Sequence, residues 1–177
     1  MNLIKALIIT WENFQDQEVV YPFYRLKEET DDVKIISNVT GRFHGIMGVN
    51  MTSHDTLENL SLYSDYDFLV LPGGVKSLEK LRQEENVLKF IRQWDADDKL
   101  IASTCHGAQL MISAKITEGR EISGYYSIKD DINNSGATYV DKPSVIDGNI
   151  VSSPHYDHMG AWMKDSITLY YAKNERG

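Results

Sequence analysis

The sequence predicts an α/β fold, a mostly parallel sheet with helices on both faces, and three observations carry that expectation. Short apolar runs recur along the chain without polar alternation, as at residues 3–10 (LIKALIIT) and 67–71 (DFLVL); strands covered on both faces read this way. Segments with apolar residues at helical spacing separate these runs, as in parallel strands joined by helices. Three of the segments that follow strand ends carry polar or glycine-rich chemistry, which is where such sheets place their sites.

The first strand is expected at residues 3–10, interrupted by Lys5. Val19, Phe23 and Leu26 then give a helix behind Asp16 and Glu18, whose charges favour a helix start. Pro22 lacks an N–H and crowds the carbonyl of Glu18, so this helix is expected to bend or to start irregularly. Residues 33–37 (VKIIS) read as a strand, and residues 41–53, with three glycines and an Asn, as a loop or hairpin. After the strand at 67–71 comes Pro72-Gly73-Gly74, and Val87, Ile91 and Trp94 give a helix with Glu84 and Glu85 at its start. A short strand at 100–104 (LIAST) leads into Cys105-His106-Gly107 and a helix over 109–116. Residues 119–153 mix short strands and loops, with a tight turn at Asp147-Gly148 before a strand at 149–153. A closing helix is expected at 161–171.

The 177 residues suit one domain, without repeats or linkers, and an apolar fraction of 42% argues against disorder. Acidic residues number 26 against 18 basic ones, and the basic residues are scattered. Nucleic acid is therefore not an expected partner. No run approaches the roughly 18 apolar residues of a membrane span. A single cysteine fits a reducing compartment, and no leader pattern precedes it, so the expected location is the cytoplasm.

The stretch Ile101-Ala102-Ser103-Thr104-Cys105-His106-Gly107-Ala108-Gln109 carries the most chemistry. A strand stops, a cysteine follows and a helix begins, with small residues on both sides; a nucleophile elbow needs this crowding. A thiol at a helix start is expected to lose its proton more easily, and the neighbouring N–H groups can hold an oxyanion. The alternative is a buried structural cysteine. His106 can pair with the sulfur or merely cap the helix. Gly73 and Gly74 can offer N–H donors to a ligand or form an ordinary turn. Glu18 can hydrogen-bond a thiolate if protonated, or be a solvated acid at a helix start.

Together these residues resemble the ThiJ/PfpI family, which includes the DJ-type proteins, and most closely its PfpI intracellular protease branch. The matching pieces are Glu18-Val19-Val20-Tyr21-Pro22, Leu71-Pro72-Gly73-Gly74, the stretch Ala102 to Gln109, Gly124-Tyr125 with Ser127 to Asp131, and Asp147 to Ser153. The resemblance implies a flavodoxin-like, class I glutamine-amidotransferase-like fold. It implies Cys105 as nucleophile, Glu18 as the acid bonded to it, His106 as its histidine, and Gly73 and Gly74 as the oxyanion site. Tyr125 falls where the family has a Tyr or His over the pocket. Glu79 matches an acid that reaches a neighbouring subunit's site and orients its His106, which implies a homo-oligomer, a dimer or hexamer. Ser153 to His158 replaces a segment that usually carries an Arg and a Pro, so His155 is expected to line the pocket and alter its substrate. His155 and His158 lack a third ligand of clear spacing, and no metal or other cofactor is expected.

Three functions fit this site. One is cysteine-dependent hydrolase or lyase chemistry on small reactive carbonyls such as methylglyoxal, as in a glyoxalase or deglycase. Another is peptidase or amidase chemistry with a triad shared between subunits. The third is a stress-protective redox sensor built on an oxidisable cysteine.

Overall fold

The computed structural model describes residues 3–175. In chain order its elements are β1 (Ala6–Ile9), α1 (Asp16–Lys27), β2 (Val33–Ser37), β3 (Gly41–His44), β4 (Asn50–Ser53), β5 (Asp55–Thr56), β6 (Phe68–Leu71), α2 (Val75–Leu81), α3 (Glu85–Ala96), β7 (Leu100–Thr104), α4 (Ala108–Ser113), β8 (Glu121–Ile122), α5 (Lys129–Asn134), β9 (Thr138–Tyr139), β10 (Val145–Asp147), β11 (Ile150–Ser153) and α6 (Met159–Asn174). Seven strands form the central sheet in the order β10-β11-β7-β6-β1-β2-β5. All neighbours run parallel except β10 and β11, which form an antiparallel hairpin at one edge.

The unalternating apolar runs follow from this architecture. In β1, Leu7 and Ile9 join one core cluster while Ala6 and Ile8 join the other, and all four are 0% exposed. Residues of α2, α3, α4 and α5 cover the first face. The second face carries α1, α6 and the β3–β4 hairpin. Each Leu or Ile so buried contributes about 1.5–3 kcal/mol relative to exposure.

Several boundaries differ from the sequence expectation. The first strand is Ala6–Ile9, because Lys5 turns outward to Asp65 while its backbone N–H donates to Asp67 at 2.9 Å. The helix after the cysteine is Ala108–Ser113, not 109–116; Lys115 takes φ +61°, and the Ile116 N–H closes back on Met111. Helix α2 went unread because it is one short piece that buries only Ser77, Leu78 and Leu81. The closing helix is longer than expected. Pro22 does not interrupt α1; the irregularity lies at its start, where the Glu18 N–H donates to the Gln15 carbonyl. Residues 41–53 do form a hairpin, and Gly148 at φ +60° makes the turn between β10 and β11.

The topology positions the site. Strand β1 hands the chain to β2 on one side, whereas β6, β7 and β11 build outward on the other. The carboxyl ends of β1 and β6 therefore flank the point where strand order reverses, the usual place for a ligand crevice. Glu18, Gly73 and Cys105 all follow strands that end there or one strand away.

Trp162 anchors α6 to this sheet: it is 0% exposed and its indole N–H donates to the Val151 carbonyl at 3.2 Å. Trp162→Ala should therefore lower unfolding free energy by about 3–5 kcal/mol in urea titration, and a loss below about 1 kcal/mol would contradict this packing.

Candidate active site

Cys105 sits where extended backbone turns over. Thr104 is extended at φ −138°, and Cys105 takes φ +55°, a left-handed conformation that costs a non-glycine residue roughly 1–3 kcal/mol. A 3-10 turn over Cys105–Gly107 then leads into α4. The sulfur lies 3.4 Å from His106 Nδ1, so these sequence neighbours also meet in space. Both are nearly enclosed, at 7% and 8% exposure.

Glu18 is not a solvated acid. It is 0% exposed, and Oε2 accepts the Gly73 N–H at 2.6 Å. Its carboxyl also interacts with the Cys105 thiol. The enclosed Oε1 has no hydrogen-bond partner among the described residues. Gly73 is the contact point of the cluster: a Cβ there would lie 2.6 Å from Glu18 Oε2, 2.9 Å from Cys105 Cβ and 3.0 Å from the His106 nitrogen. Only a residue without a side chain lets acid and thiol approach from opposite sides.

Enclosure decides the ionisation. Burial pushes the Glu18 carboxyl up to about 8, against the opposing pull of the Gly73 N–H and Cys105. Glu18 is therefore mostly protonated at neutral pH. Burial also pushes the Cys105 thiol up, and a charged Glu18 pushes it further, while the His106 backbone N–H pulls it down. This corrects the expectation of an easily ionised thiol at a helix start. The helix is only six residues long and desolvation outweighs it. The thiolate gains its relief from protonation of Glu18, which removes the repelling charge and supplies a donor. Burial lowers the His106 pKa, so that ring is neutral beside the sulfur.

The Gly-Gly turn also differs from expectation. The Gly73 N–H is already committed to Glu18, so it is not a free oxyanion donor. Gly74, at φ +109°, caps α2, and its N–H makes no hydrogen bond among the described residues.

Beyond His106 the structure builds a row of rings. The Tyr125 ring centre is 4.9 Å from that of His106, and His155 stacks on Tyr125 at 5.9 Å and 25°. Tyr126 and Tyr156, which sequence reasoning passed over, extend the row at 4.4 Å from Tyr125 and 3.8 Å from His155. His155 thus reaches the site's wall but not its sulfur. Glu79 is not brought to Cys105 of its own chain; it lies exposed on α2, with its backbone carbonyl bonded to Gln83. Among the described residues, no three His, Cys, Asp or Glu side chains cluster to hold a metal ion.

The DJ-1/PfpI family profile matches residues 4–169. A deglycase of Pyrococcus horikoshii is 38% identical over 166 residues, covering 94% of this chain and 99% of its own. Deglycase PfpI of Pyrococcus furiosus is 36% identical with the same coverage. Among solved structures, a two-domain protein of Anabaena variabilis with DJ-1/ThiJ/PfpI-like and ferritin-like domains superposes at a TM-score of 0.88 and 26% identity; the match covers 93% of this chain and 47% of that one.

A buried acid whose pKa is raised from 4.5 to about 8 makes the fold less stable as pH rises between those values. Its folded form binds the proton more tightly than the unfolded chain, so the advantage is complete below about 4.5 and gone above about 8. Glu18→Gln should flatten this dependence: wild type should lose several kcal/mol more than the variant between pH 5 and pH 9 in chemical denaturation. Parallel stability curves would contradict a neutral Glu18.

Proposed function

The chain belongs to the DJ-1/PfpI family, and on that premise we propose that it is a cysteine-dependent hydrolase of the deglycase type. Its substrates are adducts of small reactive carbonyls with amines or thiols. The observation that carries this reading is the enclosed group of Cys105, neutral His106 and protonated Glu18 around the strained turn. The two Pyrococcus relatives are named deglycases, which supports the same type of activity.

For a methylglyoxal adduct the steps are as follows. The Cys105 sulfur attacks the carbinol carbon, forming C–S as the bond to the amine breaks, and the amine leaves with a proton. The resulting hemithioacetal loses its carbon-bound proton to a base at the site and regains one on the adjacent carbon, which leaves a thioester. Water cleaves the thioester, releasing lactate and restoring the thiol. Glu18 in its neutral form supports the first step by donating to the sulfur. Free methylglyoxal can enter the same sequence at the hemithioacetal.

A second reading keeps a specific observation. Among the described residues, His106 has no carboxylate partner, while Glu79 stands exposed on α2. A neighbouring copy's Glu79 orienting His106 would complete a peptidase or amidase triad, as in the shared-site expectation. The redox-sensor reading draws less support, because the sulfur is 7% exposed and burial favours its protonated form.

Cys105→Ala should reduce amine release from a methylglyoxal adduct to background, at least about a thousandfold below wild type, as followed by lactate and free-amine assays. Activity that survives the substitution rules out thiol catalysis. In wild type the rate should fall as pH rises past about 8, where Glu18 ionises and its charge opposes the thiolate. A rate still climbing at pH 10 would contradict that role. Glu79→Gln tests the shared triad: peptide hydrolysis should drop without change in the mass of the assembly, and unchanged hydrolysis removes this reading.

A further inference from the structure

We propose that Thr10, Thr104, Ser153 and Glu18 bind internal water in a row that crosses the central sheet, and that this water fixes the Glu18 carboxyl in place. The site does not depend on which reaction Cys105 performs. Among the described residues, six buried side-chain oxygens have no hydrogen-bond partner, and four of the six belong to these residues. Register puts the three hydroxyls in line. Ile8 pairs with Val70, Val70 with Ala102, and Ala102 with Val151. Two residues further along the chain at each stand Thr10, Pro72, Thr104 and Ser153, and Thr104 still pairs with Ser153. The Thr10 N–H donates to the Ile36 carbonyl of β2 at 3.0 Å, so β1 keeps its course that far.

Side chains two residues apart on a strand point the same way. Ile8, Val70, Ala102 and Val151 all join the face covered by α1 and α6, so the row lies beneath those helices. Pro72 is its one member without a polar side chain. Glu18 comes from α1 at that place, where its Oε2 accepts the N–H of Gly73, next to Pro72. Ser103 also has an unpartnered hydroxyl, but it alternates to the opposite face with Ile101 and is not part of the row. Spacing identifies the ligand. Neighbouring strands lie about 4.8 Å apart, too far for one hydroxyl to bond the next. A water bonded at about 2.8 Å on each side bridges such a gap. Water and hydroxyls both donate and accept, so the row can run from Ser153 through Thr104 to Glu18 Oε1 and on to Thr10. Buried polar atoms without a partner are costly, and internal water satisfies them where several share one space. A metal ion fits poorly, since the row holds a single carboxyl and no three metal-ligating side chains cluster among the described residues. Held at Oε2 by the Gly73 amide and at Oε1 by water, the carboxyl cannot turn away from Cys105. Thr10, Thr104 and Ser153 are therefore positioning residues that act on the sulfur through Glu18.

A high-resolution crystal structure of the wild-type protein should show ordered water within hydrogen-bond distance of Thr104 Oγ1 and of either Ser153 Oγ or Glu18 Oε1. Dry surroundings, or hydroxyls bonded directly to backbone carbonyls, overturn the assignment and leave the deglycase reading standing; a wild type without deglycase activity leaves the assignment standing. Thr104→Val keeps the side chain's shape and removes the hydroxyl, whereas Thr104→Ser keeps the hydroxyl. The infrared band of the protonated Glu18 carboxyl reads the effect without any substrate. In Thr104→Val the pH at which that band disappears should rise by about one unit, because the carboxylate loses a donor. In Thr104→Ser it should stay at the wild-type value. No shift in Thr104→Val, or the same shift in both variants, contradicts a role for the hydroxyl. Cys105, the titratable group that interacts with Glu18, and His106 beside it are unchanged in all these proteins. If Thr104→Val fails to fold by circular dichroism, Thr10→Val and Ser153→Ala decide: each should shift the band the same way by a smaller amount, and no shift in either overturns the assignment.

Discussion

The removal of the Glu18 carboxyl from water beside Cys105 sets the ionisation of the candidate site. Both groups are removed from water, and desolvation drives each toward its neutral form. Two negative charges so close cannot coexist at modest cost. The pair therefore keeps a proton well above the pH at which a free carboxylic acid would lose it. When that proton sits on Glu18, the sulfur has a donor and no competing charge. When Glu18 ionises, the sulfur is pushed back to the thiol. The amides tune the balance in opposite senses: the Gly73 N–H favours the carboxylate, and the His106 N–H favours the thiolate.

The scaffold exists to hold this contact. Glu18 is fixed on α1, which packs on one face of the sheet through Val19 and Leu26. Gly73 and Cys105 leave the ends of β6 and β7, neighbouring strands buried along their length. Three segments distant in sequence converge because strand order reverses between β1 and β6. The absence of a side chain at Gly73 lets them meet, and the strained backbone at Cys105 aims the sulfur. Strain of this kind persists only where surrounding packing determines it, and the core on both sides of the sheet provides that packing. The ring wall of Tyr125 and His155 comes from the less regular last third of the chain.

Much of this was legible in the residues. The parallel sheet followed from apolar runs such as FLVL, which bury both faces and so lose the alternation of an exposed strand. The turn at Cys105 followed from a strand stopping against small residues. What could not be read was burial. Glu18 at a helix start has the same local pattern whether it faces water or a thiol; only the crossing of α1 over the β6 turn decides. The ionisation of Cys105 was misjudged for the same reason, since helix position is visible in sequence and desolvation is not. Short pieces also escaped: α2 buries too few residues to show a helical stripe, and α4 ends at Lys115, which bears no glycine signal. The commitment of the Gly73 amide to Glu18 is a matter of a single long-range hydrogen bond, beyond any spacing rule.

The central claim is that Glu18 carries a proton at neutral pH, and infrared difference spectroscopy of wild type against Glu18→Gln reads it directly. The account predicts a protonated-carboxyl stretch at pH 7 that is missing from the variant and disappears as pH passes about 8. A spectrum showing only carboxylate at position 18 at pH 7 would contradict it.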